Sequence, residues 1–462
     1  MLWIPVERSS AKPLIQQIYE HIRAQILSGS LQGGAQLPST RELAANLHIS
    51  RNVVLEAYDQ LQAEGYIESR PASGTYVAEG IHFELRTPAF VPAVAGSQTQ
   101  NNHIDFRSGL PALDLFPRKQ WSQIAQYVYA NAEPEVFGYD NPEGRMELRT
   151  ALARYLQRTR GVSCRPAQIL ILAGAAQAFS LLNSLLISHG DEIIIEDPTN
   201  HEVQLILSSS GAQLLPIPVD ERGMQTDLIP PSKRPRFILV TPSHQFPLGG
   251  ILPIQRRLQL LQFARTANCY LVEDDYDSEF RYTGSPISSL QGLEPERVIY
   301  VGTFSKILSP ALRLGYIVLP EVLVEHAHSI KRLMDLHSPS LEQLILARFI
   351  ESGGLERHIV RMKRIYQKRR RVLVNALKQH FLVEILGDAT GLHLVARFPS
   401  MNFTPEIIAT IERSGVHVYP VEHHTIVKGQ HSNEIILGYS HLSPAQIEQG
   451  IAQIKLTQAH RE

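Results

Sequence analysis

The sequence predicts two folded domains, an N-terminal winged helix-turn-helix and a larger α/β domain with a mostly parallel sheet. Three short amphipathic helices and a β-hairpin, all within residues 1–78, predict the first domain. Apolar strands that alternate with helical stretches after residue 104 predict the second. A length of 462 residues is compatible with this organisation, since domains commonly have about 100–200 residues.

The composition is that of an ordinary globular protein, with 44% hydrophobic and 19% charged residues. The net charge of -1 excludes a globally basic nucleic-acid-binding surface and an acidic disordered chain. Cys164 and Cys269 are far apart, which argues against a disulfide framework and for a reducing compartment. Neither a signal peptide nor a membrane span is recognisable, so we expect a cytoplasmic protein without a membrane partner.

The helices of the N-terminal domain are predicted by periodicity and capping residues. The first helix carries apolar residues at every fourth position, Leu14, Ile18, Ile22 and Ile26. Ser39 and Glu42 have the spacing of a capping box and predict the start of a second helix. Ser50 is placed to cap a third helix. Residues 66–68 and 75–77 then predict two short strands that form the wing.

The third helix has the position of a recognition helix, which enters the major groove of DNA. Arg51 and Asn52 lie at its start, where Arg suits guanine and Asn suits adenine. Residues 1–78 carry six basic and seven acidic residues, so DNA binding depends on where the cations lie rather than on net charge. Three short helices would also suit a plain helical subdomain. The candidate DNA-contacting residues are Arg41, Ser50, Arg51, Asn52, Arg70 and Gly74.

A linker is predicted between the two domains, because periodicity stops and Pro, Gly and polar residues dominate. We therefore assign residues 1–78 to the DNA-binding domain, 79–103 to the linker and 104–462 to the α/β domain. The predicted strands of the α/β domain are residues 169–172, 192–195, 237–240, 270–272 and 298–301.

Polar residues at the ends of these strands suit pyridoxal 5′-phosphate (PLP), which requires a lysine for a Schiff base and a carboxylate for its ring nitrogen. Asp274 ends one strand and Lys306 follows the next, so both reach the edge where ligands bind α/β sheets. Thr303 and Arg313 are candidate phosphate ligands in the same segment. Residues 173–177 join a strand to a helix, whose first N–H groups form an anion site.

The N-terminal motifs resemble the DNA-binding domain of GntR-type transcription regulators. They read LPSTRELA at 37–44, AEGYI at 63–67 and SGTYV at 73–77. The resemblance implies a winged helix-turn-helix that binds a double-stranded DNA operator. Asn52 replaces the usual Thr and Ala72 a usual Gly, and we expect these two departures to affect the operator sequence.

The C-terminal part resembles fold-type I PLP-dependent aminotransferases, through TPSHQFP at 241–247, EDDYDSEFRY at 273–282 and GTFSK at 302–306. The fusion of both parts resembles the MocR subfamily of GntR regulators. That likeness implies a domain-swapped homodimer in which Lys306 binds PLP, Asp274 pairs with its ring nitrogen and Tyr276 with its phenolic oxygen. The predicted cofactor-binding residues are Lys306, Asp274, Tyr276, Arg313, Thr303, Ala175, Gln177, Tyr139 (toward the partner's phosphate) and Asn200.

Two positions depart from the aminotransferase pattern. Asn200 stands where an aromatic residue usually stacks on the cofactor ring, so that stacking is not expected, and Asn200 is placed to form a hydrogen bond instead. Ile436 stands where aminotransferases carry the arginine that binds the substrate carboxylate. Transamination needs its substrate held in a fixed pose, so the second departure argues against a working aminotransferase.

The leading hypothesis is therefore a PLP-dependent transcriptional regulator that senses PLP itself or a small amino compound, with no catalytic residues. If PLP is the signal, the protein would regulate pyridoxine biosynthesis. The alternatives are an aminotransferase with an appended DNA-binding domain, and a DNA-binding protein whose PLP fold is vestigial. We expect no metal site, because neither His423-His424 nor His326 and His328 have companion ligands. The basic residues between 363 and 371 are expected to form a solvated helix face, with a secondary DNA contact as the alternative.

Overall fold

The computed structural model describes residues 4–80, 103–387 and 389–459. The chain divides into two compact units, residues 1–99 and 100–462. The helices of the described part are α1 (Leu14–Leu27), α2 (Thr40–Leu47), α3 (Arg51–Ala63), α4 (Arg118–Asn131), α5 (Met146–Arg160), α6 (Ala175–Leu186), α7 (His201–Ser208), α8 (Ile254–Ala267), α9 (Glu321–Asp335), α10 (Ser340–Glu351), α11 (Gly354–His380), α12 (Pro405–Arg413) and α13 (Pro444–Ala459). Among the described residues, none of these helices is long and apolar enough to cross a membrane.

The strands found among the described residues are shorter and form four sheets. They are β1 (Gln36–Leu37), β2 (Ile67–Arg70), β3 (Gly74–Val77), β4 (Ile104–Asp105), β5 (Ile169–Leu172), β6 (Glu192–Asp197), β7 (Gln213–Asp220), β8 (Gly223–Met224), β9 (Phe237–Val240), β10 (Tyr270–Asp275), β11 (Val298–Thr303), β12 (Gly315–Val318), β13 (Glu384–Leu386), β14 (His393–Arg397), β15 (Val416–His417), β16 (Tyr419–Pro420) and β17 (Glu434–Gly438).

The N-terminal unit has the three predicted helices and the predicted wing, with one additional strand. Ile18, Ile22 and Ile26 of α1 are fully buried against α3, as their spacing predicts. The Ser39 hydroxyl accepts a hydrogen bond from the Glu42 N–H at 3.2 Å and caps α2. The β1 strand was not predicted; it pairs with β3, so that the wing is a three-stranded sheet in the order β1-β3-β2.

The second unit is built on an eight-stranded sheet in the order β5-β12-β11-β10-β9-β6-β7-β8. The central strands pair in parallel, whereas β12 is antiparallel to both of its neighbours. The strands β5, β9 and β11 are buried along their whole length, which explains their continuous apolar runs. A four-stranded antiparallel sheet, β13-β14-β17-β16, lies beside it and packs its own core with α11 and α13.

Candidate cofactor site and DNA-contacting residues

The candidate cofactor site lies at the carboxyl ends of two neighbouring parallel strands. Asp274 is the penultimate residue of β10 and pairs in register with Val301 of β11. Lys306 follows β11 by three residues. Gly109 lies against the Lys306 amine: a Cβ built on this glycine would be 2.6 Å from Nζ. The segment around residue 109 therefore forms a wall of the site, and the absence of a side chain there makes room for the amine.

The hydrogen bonding of Asp274 and the pKa values of Asp274 and Lys306 suit a ligand that is electrophilic and contains a ring nitrogen. Asp274 Oδ1 is buried and has no hydrogen-bond partner among the described residues. Burial and the neighbouring Asp275 raise the pKa of Asp274 to about 7. Burial also lowers the pKa of Lys306, which favours the neutral, nucleophilic amine. A protonated pyridine nitrogen would supply the partner that Asp274 lacks, so these residues fit PLP.

The start of α6 lies beside the Arg313 side chain. The Arg313 guanidinium forms no hydrogen bond or ion pair with the described residues, and it faces Gly174, where an added Cβ would be 3.5 Å from Nη1. Gly174 has φ +105° and directly precedes Ala175, the first residue of α6. The free N–H groups at this helix start and the guanidinium together provide the positive environment that a phosphate requires.

Two predicted phosphate ligands have structural partners in this part of the protein. The Gln177 side chain accepts a hydrogen bond from the Ala173 N–H at 2.7 Å and donates one to Asp335 at 2.8 Å. Only the backbone N–H of Gln177 is thus left for an anion. The Thr303 hydroxyl accepts a hydrogen bond from the Ser305 N–H at 3.1 Å, which orders the turn before Lys306.

Tyr276 is held by a buried histidine–aspartate pair that was not predicted from the sequence. The His244 Nδ1 atom lies 3.0 Å from the Tyr276 hydroxyl and 2.9 Å from Asp277 Oδ1. The His244 and Tyr276 rings are stacked with centroids 5.7 Å apart. This pair fixes the orientation of the phenol next to Asp274. The signal in the sequence was the presence of His244 and Asp277 within the two longest motifs of the C-terminal part.

Asn200 is engaged at a helix start, whereas Tyr139 is exposed on the surface. Asn200 is the N-cap of α7, and its Oδ1 accepts a hydrogen bond from the Val203 N–H at 3.3 Å. Its capping role leaves the amide nitrogen as the group that can reach a ligand. Tyr139 is 87% exposed and contacts the His337 ring edge-on at 6.1 Å.

Ile436 is fully buried in an apolar cluster with Phe246, Leu248, Val395 and Val421. A cation that was not predicted from the sequence lies nearby: Arg107 Nε donates to the Tyr419 hydroxyl at 3.4 Å, and Tyr419 is the cross-strand neighbour of Ile436. Burial is the main cause of the lowered pKa of Lys306, and the positive charge of Arg107 lowers it further. The pocket thus has a cation beside it although position 436 is apolar.

The candidate DNA-contacting residues, Arg41, Ser50, Arg51, Asn52, Arg70 and Gly74, are all exposed. Ser50 precedes α3 but its side chain makes no capping hydrogen bond. Arg70 is paired with Glu68 at 2.6 Å and lies over the Tyr76 ring. Gly74 has φ +121° and its position faces the Gln36 side chain, so glycine is needed here by the fold itself.

The described residues contain no group of three or more His, Cys, Asp or Glu side chains that could hold a metal ion. His201, His423 and His424 do cluster, with ring centroids 4.4 Å apart for the first two and 5.3 Å for the last two. Burial lowers the pKa of His424 to about 3, so this ring is neutral at physiological pH.

Comparison with known proteins identifies both parts of the chain. Residues 14–77 match the gntR family of bacterial regulatory proteins, and residues 101–454 match aminotransferase class I and II. A probable rhizopine catabolism regulatory protein, MocR, of Rhizobium meliloti is 35% identical across 97% of this chain and 94% of its own length. The chain belongs to the MocR-type regulators of the GntR family.

Other relatives of this regulator bear on its cofactor. The pyridoxine biosynthesis regulator PdxR of Corynebacterium glutamicum is 30% identical over 92% of this chain and 91% of that protein. An archaeal alanine:glyoxylate aminotransferase has a TM-score of 0.73 at 27% identity, covering 78% of this chain and 91% of the enzyme. LysN of Thermus thermophilus, solved with a phosphopyridoxyl-leucine, has a TM-score of 0.72 at 26% identity, covering 78% and 92%. The protein is therefore a transcriptional regulator that binds PLP.

Proposed function

We propose that the α/β domain of this regulator uses PLP for sensing and not for metabolic transamination. One observation carries the proposal: Asp274, Lys306 and Arg313 are present and available, whereas Ile436, at the position of the substrate-binding arginine, is buried in an apolar cluster. Such a site retains the cofactor-binding residues but lacks, at position 436, the arginine that fixes a substrate for turnover.

The residues would hold PLP as follows. Lys306 would bond covalently to the cofactor, Asp274 would accept the ring N–H and Tyr276 would donate to the phenolic oxygen. Arg313 and the N–H groups of residues 175–177 would bind the phosphate, with Thr303 ordering the loop and Asn200 at the rim. When bound, PLP supplies an aldehyde that exchanges one primary amine for another. Lys306, as a neutral amine, is prepared for that exchange.

Two effectors fit this site. In the first, PLP occupancy is itself the signal, and the protein would regulate pyridoxine biosynthesis; the likeness to PdxR supports this choice. In the second, an amino compound displaces Lys306 and its acidic group pairs with Arg107. The hydrogen bond of Arg107 to Tyr419, beside Ile436, supports the second. Either effector acts only by binding two arrangements of the protein with different affinity.

We further propose that the regulator binds its operator as a homodimer with exchanged domains, cytoplasmic in location. The boundaries 1–78 and 104–462 would define the two domains. Arg51 and Asn52 would read bases, Arg41 would bind a phosphate, and Ser50, Arg70 and Gly74 would line the contact. Their exposure supports this role.

The test is operator binding by cofactor-free protein, by protein with PLP, and by protein with PLP plus a panel of amino compounds. Sensing by PLP predicts that PLP alone changes the affinity or the footprint. A change that appears only with an amino compound, and disappears in Arg107→Gln, selects the second effector. The control is Lys306→Ala, which should lose the visible absorption band and the borohydride-reducible link. Rapid transamination of an ordinary amino acid would contradict the sensing role.

A further inference from the structure

The exposed face of α11 carries a row of basic side chains. This helix, Gly354–His380, contains a single acidic residue, Glu356, although the whole chain has a net charge of -1. Its basic residues are Arg357, Arg361, Lys363, Arg364, Lys368, Arg369, Arg370, Arg371 and Lys378.

Five of these cations form a straight line, which we call the basic stripe: Arg357, Arg361, Arg364, Lys368 and Arg371. All five are exposed. At 100° per residue, their spacings of three and four place them within an arc of about 80°, along a rise of about 21 Å. The opposite face carries the buried residues Leu355, Met362, Tyr366, Leu373 and Leu377, so the stripe points away from the core.

The stripe residues are not neutralised by acidic side chains in the described part of the chain. No described acidic residue forms an ion pair with any of them. Arg357 donates to the Ser352 carbonyl at 2.9 Å, and Glu356 is engaged by Arg158. A helix face that serves only solubility usually mixes the two signs, because like charges three or four residues apart destabilise the helix. A purely cationic face is instead suited to a polyanion.

The cations of the DNA-binding unit are too few to neutralise many phosphates of a polyanion such as DNA. Residues 1–78 carry six basic and seven acidic residues. Lys12 is paired with Glu20 at 2.8 Å, and Arg70 with Glu68 at 2.6 Å. Most of the sequence-independent affinity of a protein for DNA comes from cations that displace counterions from phosphates. This unit supplies few free cations for that purpose.

We propose that the basic stripe of α11 binds the phosphate backbone of double-stranded DNA that flanks the recognised half-sites. The proposal rests on the operator binding proposed above. The stripe would add affinity and orient the α/β domain on the DNA without reading bases, since guanidinium and ammonium groups in a row recognise phosphates only.

The experiment compares the full-length, PLP-loaded protein with the variant R361Q/R364Q/K368Q/R371Q. Affinity is measured across a range of salt concentrations on a short operator fragment and on one with long flanks. On the long fragment, the variant should lower the slope of log affinity against log salt by about 3–4 for each engaged subunit. On the short fragment, both proteins should behave alike. The matched control R222Q/R234Q/R332Q/R413Q removes the same charge elsewhere on the exposed surface and should retain the wild-type slope.

The salt dependence should be governed by the positive charge at these positions and not by the guanidinium group itself. The variant R361K/R364K/R371K should therefore keep most of the wild-type slope of log affinity against log salt. The visible cofactor band and the half-site footprint report separately on the proposed function. If both persist but the stripe variant retains the wild-type slope and flank dependence, the proposal is wrong and the stripe serves another polyanion, such as an acidic protein. An equal loss in the matched control would also overturn it.

Discussion

Asp274 is a carboxylate that the fold places in an unfavourable environment until a partner arrives. Its Oδ1 is buried without a hydrogen bond among the described residues, and it lies beside Asp275 in the sequence. Burial, and after it the charge of Asp275, raises the pKa of Asp274 to about 7, far above the usual value for Asp. Such instability is common at ligand sites, where the ligand supplies the missing interaction.

We expect Asp274→Asn to stabilise the cofactor-free protein, with a defined pH dependence. The folded state binds the Asp274 proton more tightly than the unfolded state between pH 4 and 7, so wild-type stability falls as the pH rises through that window. Asn cannot ionise. The variant should therefore match the wild type near pH 4 and exceed it by up to about 4 kcal/mol above pH 7. Urea unfolding at several pH values measures this difference.

The order of stability of the two proteins should reverse when PLP is added, since a ligand that binds the folded state stabilises it. Wild-type protein with PLP should then unfold at higher urea concentration than the Asn variant with PLP. A variant that is no more stable than the wild type at pH 8 without PLP would show that Asp274 is solvated and is not a strained cofactor ligand.

At the scale of elements, the end of β10 is fixed to α5 by a buried ion pair. Arg160 Nε donates to Asp275 at 2.7 Å, and its Nη2 donates to the Ser243 hydroxyl at 2.7 Å. Tyr300 of β11 donates to the same carboxylate. The pair thus joins a helix, two strands and the loop that carries His244. It determines where Asp274 and Tyr276 lie.

We expect Arg160→Met to destabilise the protein by about 3–5 kcal/mol, because Asp275 would remain buried and charged without a cation. The double variant R160M/D275N should recover a large part of this loss, since Asn keeps an acceptor for Tyr300 but carries no charge. Chemical unfolding of the three proteins gives the coupling between the two positions. Losses that simply add in the double variant would show that the ion pair contributes little to the fold.

The elements differ in how well the sequence predicts them. The buried strands 169–172 and 237–240 were predicted to the residue, because continuous apolar runs mark strands that are covered on both faces. The strands β10 and β11 each extend farther than predicted, through polar residues such as Asp274 and Thr303 that their apolar signal does not cover. Local pattern also located the three N-terminal helices, but not β1, which is too short to have a pattern of its own.

The site was only partly predictable for a similar reason. Lys306, Asp274 and Arg313 lie in contiguous motifs, so the sequence indicated them directly. Arg107 reaches the pocket through Tyr419, which is 312 residues away along the chain, and only the pairing of β16 with β17 makes that contact visible. The hydrogen bond that Gln177 donates to Asp335 likewise depends on α9, which no local motif reveals.

At the scale of the whole molecule, several large apolar side chains of the α/β domain are exposed close together in the sequence. Tyr139 is 87% exposed, Phe137 58% and Met146 53%. Tyr127 and Met146 also line a cavity of about 1010 Å³. Exposed aromatic residues in such numbers commonly mark a protein–protein contact. These side chains support the proposed homodimer, in which Tyr139 of one protomer would reach the phosphate of its partner.

We expect this exchange of Tyr139 to be detectable by mixing two defective variants. Lys306→Ala cannot bond to PLP, and Tyr139→Phe should bind PLP more weakly if its hydroxyl contacts the phosphate. In a heterodimer of the two, the site that keeps Lys306 would receive the intact Tyr139 of the partner. Refolding a mixture should therefore restore wild-type PLP affinity in about one quarter of all sites, since half of the dimers are mixed at equal amounts and each has one repaired site. If Tyr139 instead served its own subunit, the mixture would show only the two parental affinities, because the Lys306 site would still contain phenylalanine.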